Sequence, residues 1–325
     1  MLNPLTGTQL FKGQIANISV IAVLIALMFF SSSPAHAQEE NVIAVISEQK
    51  SQYLSTYTHA REILAEKGFK VQGYLLASLN KANLDALAKR PSVRFMAIGS
   101  QAARVLNKQL PRKLQLTYCM VSDPASHGLT HGRRIAGVSI DVPVRKQFDL
   151  IRQAKPATER VGMIYDSRNT MSKKLLEMAK ADLPAGWELA AFDLAAFDGI
   201  PEAINALFNQ PVDIVWTGLD DAVYNAGSLR ALLLASIRNR VPVFGFSVGA
   251  VRAGALLGVG VTPTAQGRQL AELTAKRIPP PQMNRQQETI IEPEFEIAVN
   301  VTVSKHLRIS LPASMMSTAD HVFGK

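Results

Sequence analysis

The sequence carries a single cysteine, Cys119, in 325 residues, so no disulfide can form within the chain. Cys119 sits in the apolar-leaning stretch LQLTYCMV, which reads as a buried, inert thiol and not as a nucleophile. Basic residues give a net charge of +9, but they are scattered, as in Arg133-Arg134 and Arg238-Asn239-Arg240. No basic block is interleaved with aromatics and no zinc-finger spacing occurs, so the chain lacks the marks of a nucleic-acid reader. A solvated basic surface accounts for those pairs. Enzyme signatures are also missing: there is no G-x-S-x-G, H-E-x-x-H or G-x-x-x-x-G-K-[ST]. His127 and His131 lie four apart in HGLTHG, but a loop does not hold them on one face with a third donor. Gly258 and Gly260 fall in a strand-like run, which is the wrong context for a dinucleotide fingerprint. The expectation is a protein without catalytic residues, cofactor or metal.

What is present begins at the N-terminus. Residues 20–30 (VIAVLIALMFF) form an apolar run too short for a comfortable membrane span. SSSPAHA follows, and Ala35-His36-Ala37 has the small-x-small pattern of a cleavage site. Lys12 is the one side-chain charge ahead of the run, and an uncleaved anchor is the alternative. The abrupt polar switch after Ala37 favours a cleaved signal peptide over 1–37 and a mature chain in the periplasm. With no cysteine at the cleavage site, the protein is not expected to be a lipoprotein.

Beyond residue 38, short β-rich runs alternate with helical spacing. Strands are expected at 41–46, 69–76, 95–98, 114–121 and 135–139, with helices between them. The pattern restarts with a helix over 143–154 and strands at 160–165, 187–192, 212–217 and 243–246. A strand at 294–299 and short helices at 300–307 and 312–322 close the chain. Near-continuous apolar strands separated by helices indicate α/β architecture: two doubly wound parallel-sheet lobes with an interlobe cleft. The expected division is a first lobe over 38–138, a second over 139–247, a return to the first over 248–293, and a crossover strand with terminal helices over 294–325. The crossovers are expected near Ser139, Ser247 and Glu294.

Ligands of such sheets bind outside the carboxyl ends of the strands. The loops that matter therefore contain Ser47, Ser100 with Gln101, Asp123, Arg168 with Ser172, Asp220 and Ser247. Ser100 follows Gly99 at a helix start, where unpaired N–H groups suit an anion, although taken alone it reads more simply as an N-cap serine. Asp220-Asp221 could pair with a ligand cation or cap the next helix, and Asp123 before Pro124 could line the cleft or simply set a turn. Together these residues describe a cleft for a small zwitterion or anion. Tyr53, Tyr224 and Phe246 are aromatic candidates beside it.

The run from Pro242 to Gln269 carries P-V-x-x-x-S-x-x-x-V-x-x-G-A-L followed by G-R-Q. With AIGSQAA at 97–103, VSDPASHGL at 121–129, IAGVSIDVPVRKQFDLI at 135–151 and VNVTVSKHLRISLPASMMSTADHV at 299–322, it resembles the substrate-binding proteins of ABC transporters. The resemblance is to their type I periplasmic-binding fold, in the branch that includes aromatic amino-acid binders. It implies ligand capture by lobe closure with an ABC permease as partner; the alternative is a periplasmic ligand-sensing module that reports to a membrane sensor protein, and in either case a monomer is expected. It also implies that Ser100 and Gln101 line the first lobe, that Ser172 suits a carboxylate and Asp220 an ammonium group. Ser247 and Val248 fall beside the cleft. Departures are Tyr224-Asn225 in place of small residues, Arg168 as an extra anion contact, and Arg308 where the family commonly has glycine.

Overall fold

The structure is a computed structural model that describes residues 41–130, 134–279 and 290–324. The expected signal peptide, its cleavage after Ala37, and His131 lie outside the described residues. Two sheets form, each with helices on both faces.

The first sheet has six strands in the order β2-β1-β3-β4-β5-β11. They are β1 (Asn41–Ile46), β2 (Lys70–Leu75), β3 (Arg94–Ile98), β4 (Gln115–Cys119), β5 (Ile135–Val138) and β11 (Ile290–Ile291), all paired in parallel. Alternation along each strand sends side chains to opposite faces. Ile43, Val45, Phe95 and Ala97 enter one core cluster, while Val42, Ala44, Ile46, Met96 and Ile98 enter the other. Burial on both sides is what makes these strands read as continuous apolar runs.

The second sheet has seven strands, ordered β7-β6-β8-β9-β10-β12-β13. These are β6 (Arg160–Tyr165), β7 (Glu188–Asp193), β8 (Ile214–Trp216), β9 (Val243–Gly245), β10 (Leu257–Gly260), β12 (Glu296–Asn300) and β13 (His321–Phe323). Every pair is parallel except β10 with β12, where the chain re-enters from the first lobe. Trp216, Phe148 and Phe244 are fully buried here, each such large apolar side chain contributing about 1.5–3 kcal/mol.

The helices follow the expected spacing. Helix α1 (Ser51–Glu66) buries Thr56, Ala60 and Leu64, one stripe at intervals of four. That stripe packs on α9 (Pro263–Ala275), where a Cβ on Gly267 would stand 2.6 Å from the Thr56 carbonyl oxygen. Only glycine permits the two backbones to approach so closely. The others are α2 (Lys81–Ala88), α3 (Ser100–Gln109), α4 (Val144–Ala154), α5 (Thr170–Ala181), α6 (Ile200–Phe208), α7 (Ala226–Asn239), α8 (Val248–Ala253), α10 (Val301–Leu307) and α11 (Ala313–Thr318).

The lobe boundaries differ from the sequence expectation in the middle of the chain. Residues 248–260 belong to the second lobe: α8 buries Val251 in its core, and β10 pairs with β9 through Leu257–Phe244 and Gly258–Gly245. The return to the first lobe therefore occurs at Val261-Thr262, not at Ser247. The other passages from one sheet to the other run between β5 and α4, at Ser139, and between β11 and β12, at Glu294. The end of the chain is also part of the second sheet, since 321–323 forms β13 on the edge of β12 and not the tail of a helix. Arg308 ends α10 at φ 58°, in the left-handed region that explains a glycine preference at this position.

Candidate functional site

Both sheets share one switch in strand order. In the first lobe it lies between β1 and β3, and in the second between β6 and β8. Chains leaving the two neighbouring strands diverge there and open a crevice.

At the first switch, Ser47 follows β1. Its N–H donates to the Ile98 carbonyl at 2.9 Å, and its Oγ accepts from Ala102 N–H at 2.9 Å. Ser47 is thus the side chain that caps α3, reaching it from a loop 55 residues earlier in sequence. This corrects the capping reading of Ser100, which is the first residue inside the helix, with Gly99 at the N-cap position. Gly99 stands at φ 93°, and a Cβ there would lie 2.6 Å from Ser47 Oγ and 3.1 Å from Tyr53 Cζ. Ser100 is half-buried and Gln101 exposed, and among the described residues neither N–H has a protein acceptor. Two N–H groups and the positive end of a ten-residue helix therefore face the crevice.

At the second switch, Asp166 follows β6 and holds Arg168 by a bidentate pair, Nε to Oδ1 at 2.8 Å and Nη2 to Oδ2 at 2.9 Å. Hydrogen bonds from the Arg168 side chain and backbone hold the Asp166 carboxyl below the usual carboxylate range. Arg168, expected as an extra anion contact, pairs with an aspartate of its own loop, while its side chain remains 65% exposed. Ser172 is fully buried. Its Oγ accepts from Asp166 N–H at 2.7 Å and lies 2.5 Å from Asp220 Oδ2. Asn169 caps α5 by accepting from the N–H groups of Met171 and Ser172. Ser172 itself therefore has neither its N–H nor its hydroxyl proton free for a carboxylate, contrary to the expectation for this residue.

Asp220 follows β8 and is 6% exposed. Beyond the Ser172 contact, its Oδ1 accepts from Ala222 N–H at 3.1 Å. Neither Asp220 nor Asp221 caps the next helix. Asn225 does so, in a reciprocal capping box with Ser228. Tyr224 is buried with its hydroxyl near the Ile164 backbone, and burial pushes the phenol up, so it is core and not cleft. Ser247 caps α8 by accepting from Ala250 N–H at 3.0 Å.

A side-chain contact joins the lobes across the crevice. Lys174 Nζ, on α5, donates to Asp123 Oδ1 in the loop after β4, at 3.0 Å. Asp123 adopts φ 45° to reach it, and the hydrogen bond from Lys174 lowers its carboxyl pKa. Because Asp123 follows a carboxyl end in the first sheet and Lys174 lies near the start of the helix after β6, this pair brings the two switch ends together. Sequence reasoning missed Lys174, which carries no signal beyond being a basic helix residue.

Among the described residues no group of three or more His, Cys, Asp or Glu side chains converges as a metal site. None of their helices is long and apolar enough to cross a membrane. Concavities of about 330 and 510 Å³ lie on the second lobe around Arg152 and Leu233, and neither is lined by the switch residues.

The chain is similar to several characterised proteins. A tyrosine-binding protein of Clostridioides difficile is 23% identical over 183 residues, covering 54% of this chain. That match spans half the length of the relative. The ligand-free, open structure of a substrate binding protein with adhesive properties from Clostridium difficile superposes with a TM-score of 0.71 at 18% identity, over 88% of this chain and 100% of that one. A Streptococcus pneumonia domain in complex with L-Trp gives 0.59 at 17% identity over the same shares. Structural likeness at this identity establishes the two-lobed fold. Residues 41–323 match the sequence family described as ABC transporter substrate binding protein, and the chain belongs to that family.

Proposed function

We propose that this chain is an exported solute-binding protein that captures an amino acid, with an aromatic side chain preferred, and presents it to an ABC permease. The observation that carries the reading is Asp220. It is a nearly buried carboxylate at the second switch, with two acceptor positions used by the protein and others left for an ammonium group. The N–H groups of Ser100 and Gln101 at the start of α3 suit the carboxylate of the same ligand. Tyr53, packed beside Gly99, offers an aromatic surface next to them. The tyrosine-binding relative and the L-Trp complex support the choice of ligand class. Residues 20–37 support export to the periplasm.

A thermal-shift screen of the mature chain from Gln38 tests this reading. L-Tyrosine or L-tryptophan at a hundred times its Kd should stabilise the protein by about 2.7 kcal/mol. A flat response to all amino acids and to small organic anions overturns the ligand assignment.

A further inference from the structure

We infer that Ser172 is a positioning residue that orients the Asp220 carboxylate for a ligand ammonium group, and is not itself a ligand contact. The inference rests on the proposed ammonium role of Asp220. The proton count decides it. A serine hydroxyl has one proton to give and two lone pairs to receive. Asp166 N–H is a backbone donor and can only donate, so at 2.7 Å it occupies a lone pair of Ser172 Oγ. The single hydroxyl proton is then left for Asp220 Oδ2, 2.5 Å away. A ligand carboxylate would need that same proton. It could obtain it only by stripping Asp220 of its donor, at a site with no exposed surface. The backbone N–H of Ser172 is likewise taken, by Asn169 Oδ1.

Ser172 therefore ties the loop after β6 to the loop after β8, across the switch point of the second sheet. Ala222 N–H fixes Oδ1 and Ser172 fixes Oδ2, so the carboxylate plane is set before a ligand arrives. Preorganised acceptors bind a charged group without the cost of being ordered on contact.

The test compares L-tyrosine and L-tryptophan with their deamino analogues, which keep the ring and the carboxylate. Binding is measured by calorimetry for the full mature chain, S172A, D220N and the double variant. S172A should weaken the amino acid about tenfold, as the loss of one hydrogen bond to a charged group does. It should leave the deamino analogue unchanged, and it should add nothing in the D220N background. S172C, which keeps a weak donor at the same place, should fall between wild type and S172A.

Equal weakening of both ligands by S172A, or full additivity with D220N, overturns the positioning role in favour of direct contact or loop disruption. If D220N weakens amino-acid binding and S172A does not, only the role of Ser172 falls. If D220N itself has no effect, or if neither amino acid binds, the ammonium reading falls and takes this inference with it.

Discussion

Lys174 Nζ on the second lobe lies 3.0 Å from Asp123 Oδ1 on the first, an ion pair that spans the cleft. Half of the Lys174 side chain is exposed, so the pair is worth about 0–1 kcal/mol. That is small against folding but sizeable against an open–closed equilibrium, where 1 kcal/mol changes a population ratio about fivefold. Lys174→Ala should enlarge the ligand-free radius of gyration in small-angle scattering, and Lys174→Glu should enlarge it more. High salt should reproduce part of the change in the wild type. Because the folded Asp123 carboxyl is lowered, the pair's contribution is complete above the ordinary carboxylate pKa of about 3.9 and is lost as pH falls through the lower folded value. No change in radius from this pair is expected between about pH 5 and 8. A radius indifferent to both substitutions would show that the lobes are held by other contacts.

Gly99→Ala should be costly at a single methyl. The residue stands at φ 93°, ψ 158°, a combination that L side chains strongly disfavour, at a strain of about 1–3 kcal/mol. The new Cβ would also collide with Ser47 Oγ, the cap of α3. Ser47→Ala alone should lose about 0.5–2 kcal/mol. Since both changes break the same cap, the double variant should lose less than the sum. Urea denaturation of the four proteins measures this, and strict additivity would show that the contact is not shared.

Gln147 is the sole polar partner of the fully buried Trp216 indole among the described residues. It accepts from Trp216 Nε1–H at 2.9 Å and donates to the Val142 carbonyl at 2.8 Å. Gln147→Leu orphans both groups and should cost about 1–3 kcal/mol for each that stays buried. Adding Trp216→Phe removes the indole donor and should recover part of the loss. A lower urea midpoint at constant m-value in Gln147→Leu, raised again in the double variant, is the expected pattern.

The alternation of β-rich runs and helical spacing was enough to read two α/β lobes, because strands buried on both faces leave an unmistakable apolar run and helices a periodic one. Val248–Ala253 shows where that stopped working. A six-residue helix and the strand after it look the same whether they continue a sheet or leave it, and the pairing of β10 with β9 decides the matter. The candidate site was legible as positions and not as partners. Ser47, Ser100, Ser172 and Asp220 were identified because strand ends are where ligands bind. Their hydrogen bonds run to residues remote in sequence, Ser47 to Ala102 and Ser172 to Asp220, and one sequence carries no trace of such pairings. Arg168 illustrates the same gap at short range, since the pairing of its guanidinium with Asp166, two residues away, is not written in the sequence either.

The hinge provides a further prediction. On α9, Gln266 and Gln269 are three residues apart, both buried, and each holds a different crossover. Gln266 donates to the Ser139 carbonyl at 2.8 Å and accepts from Met120 N–H. Gln269 donates to the Glu292 carbonyl at 2.9 Å and accepts from Glu294 N–H at 2.9 Å. Arg268 adds an ion pair with Glu294 from the intervening position. Two rigid amides on one helix of the first lobe thus fix the backbone at the points where the second lobe would pivot. Gln269→Ala leaves the 292–295 segment without this clamp, while β12, paired on both edges, keeps its own hydrogen bonds. Amide exchange at Glu294 should therefore accelerate by about tenfold or more, and exchange within β12 should not change. Ligand affinity should fall by the fraction of closed-competent molecules lost. Unaltered protection at Glu294 would move the pivot elsewhere, with Lys146–Glu292 as the next contact to remove.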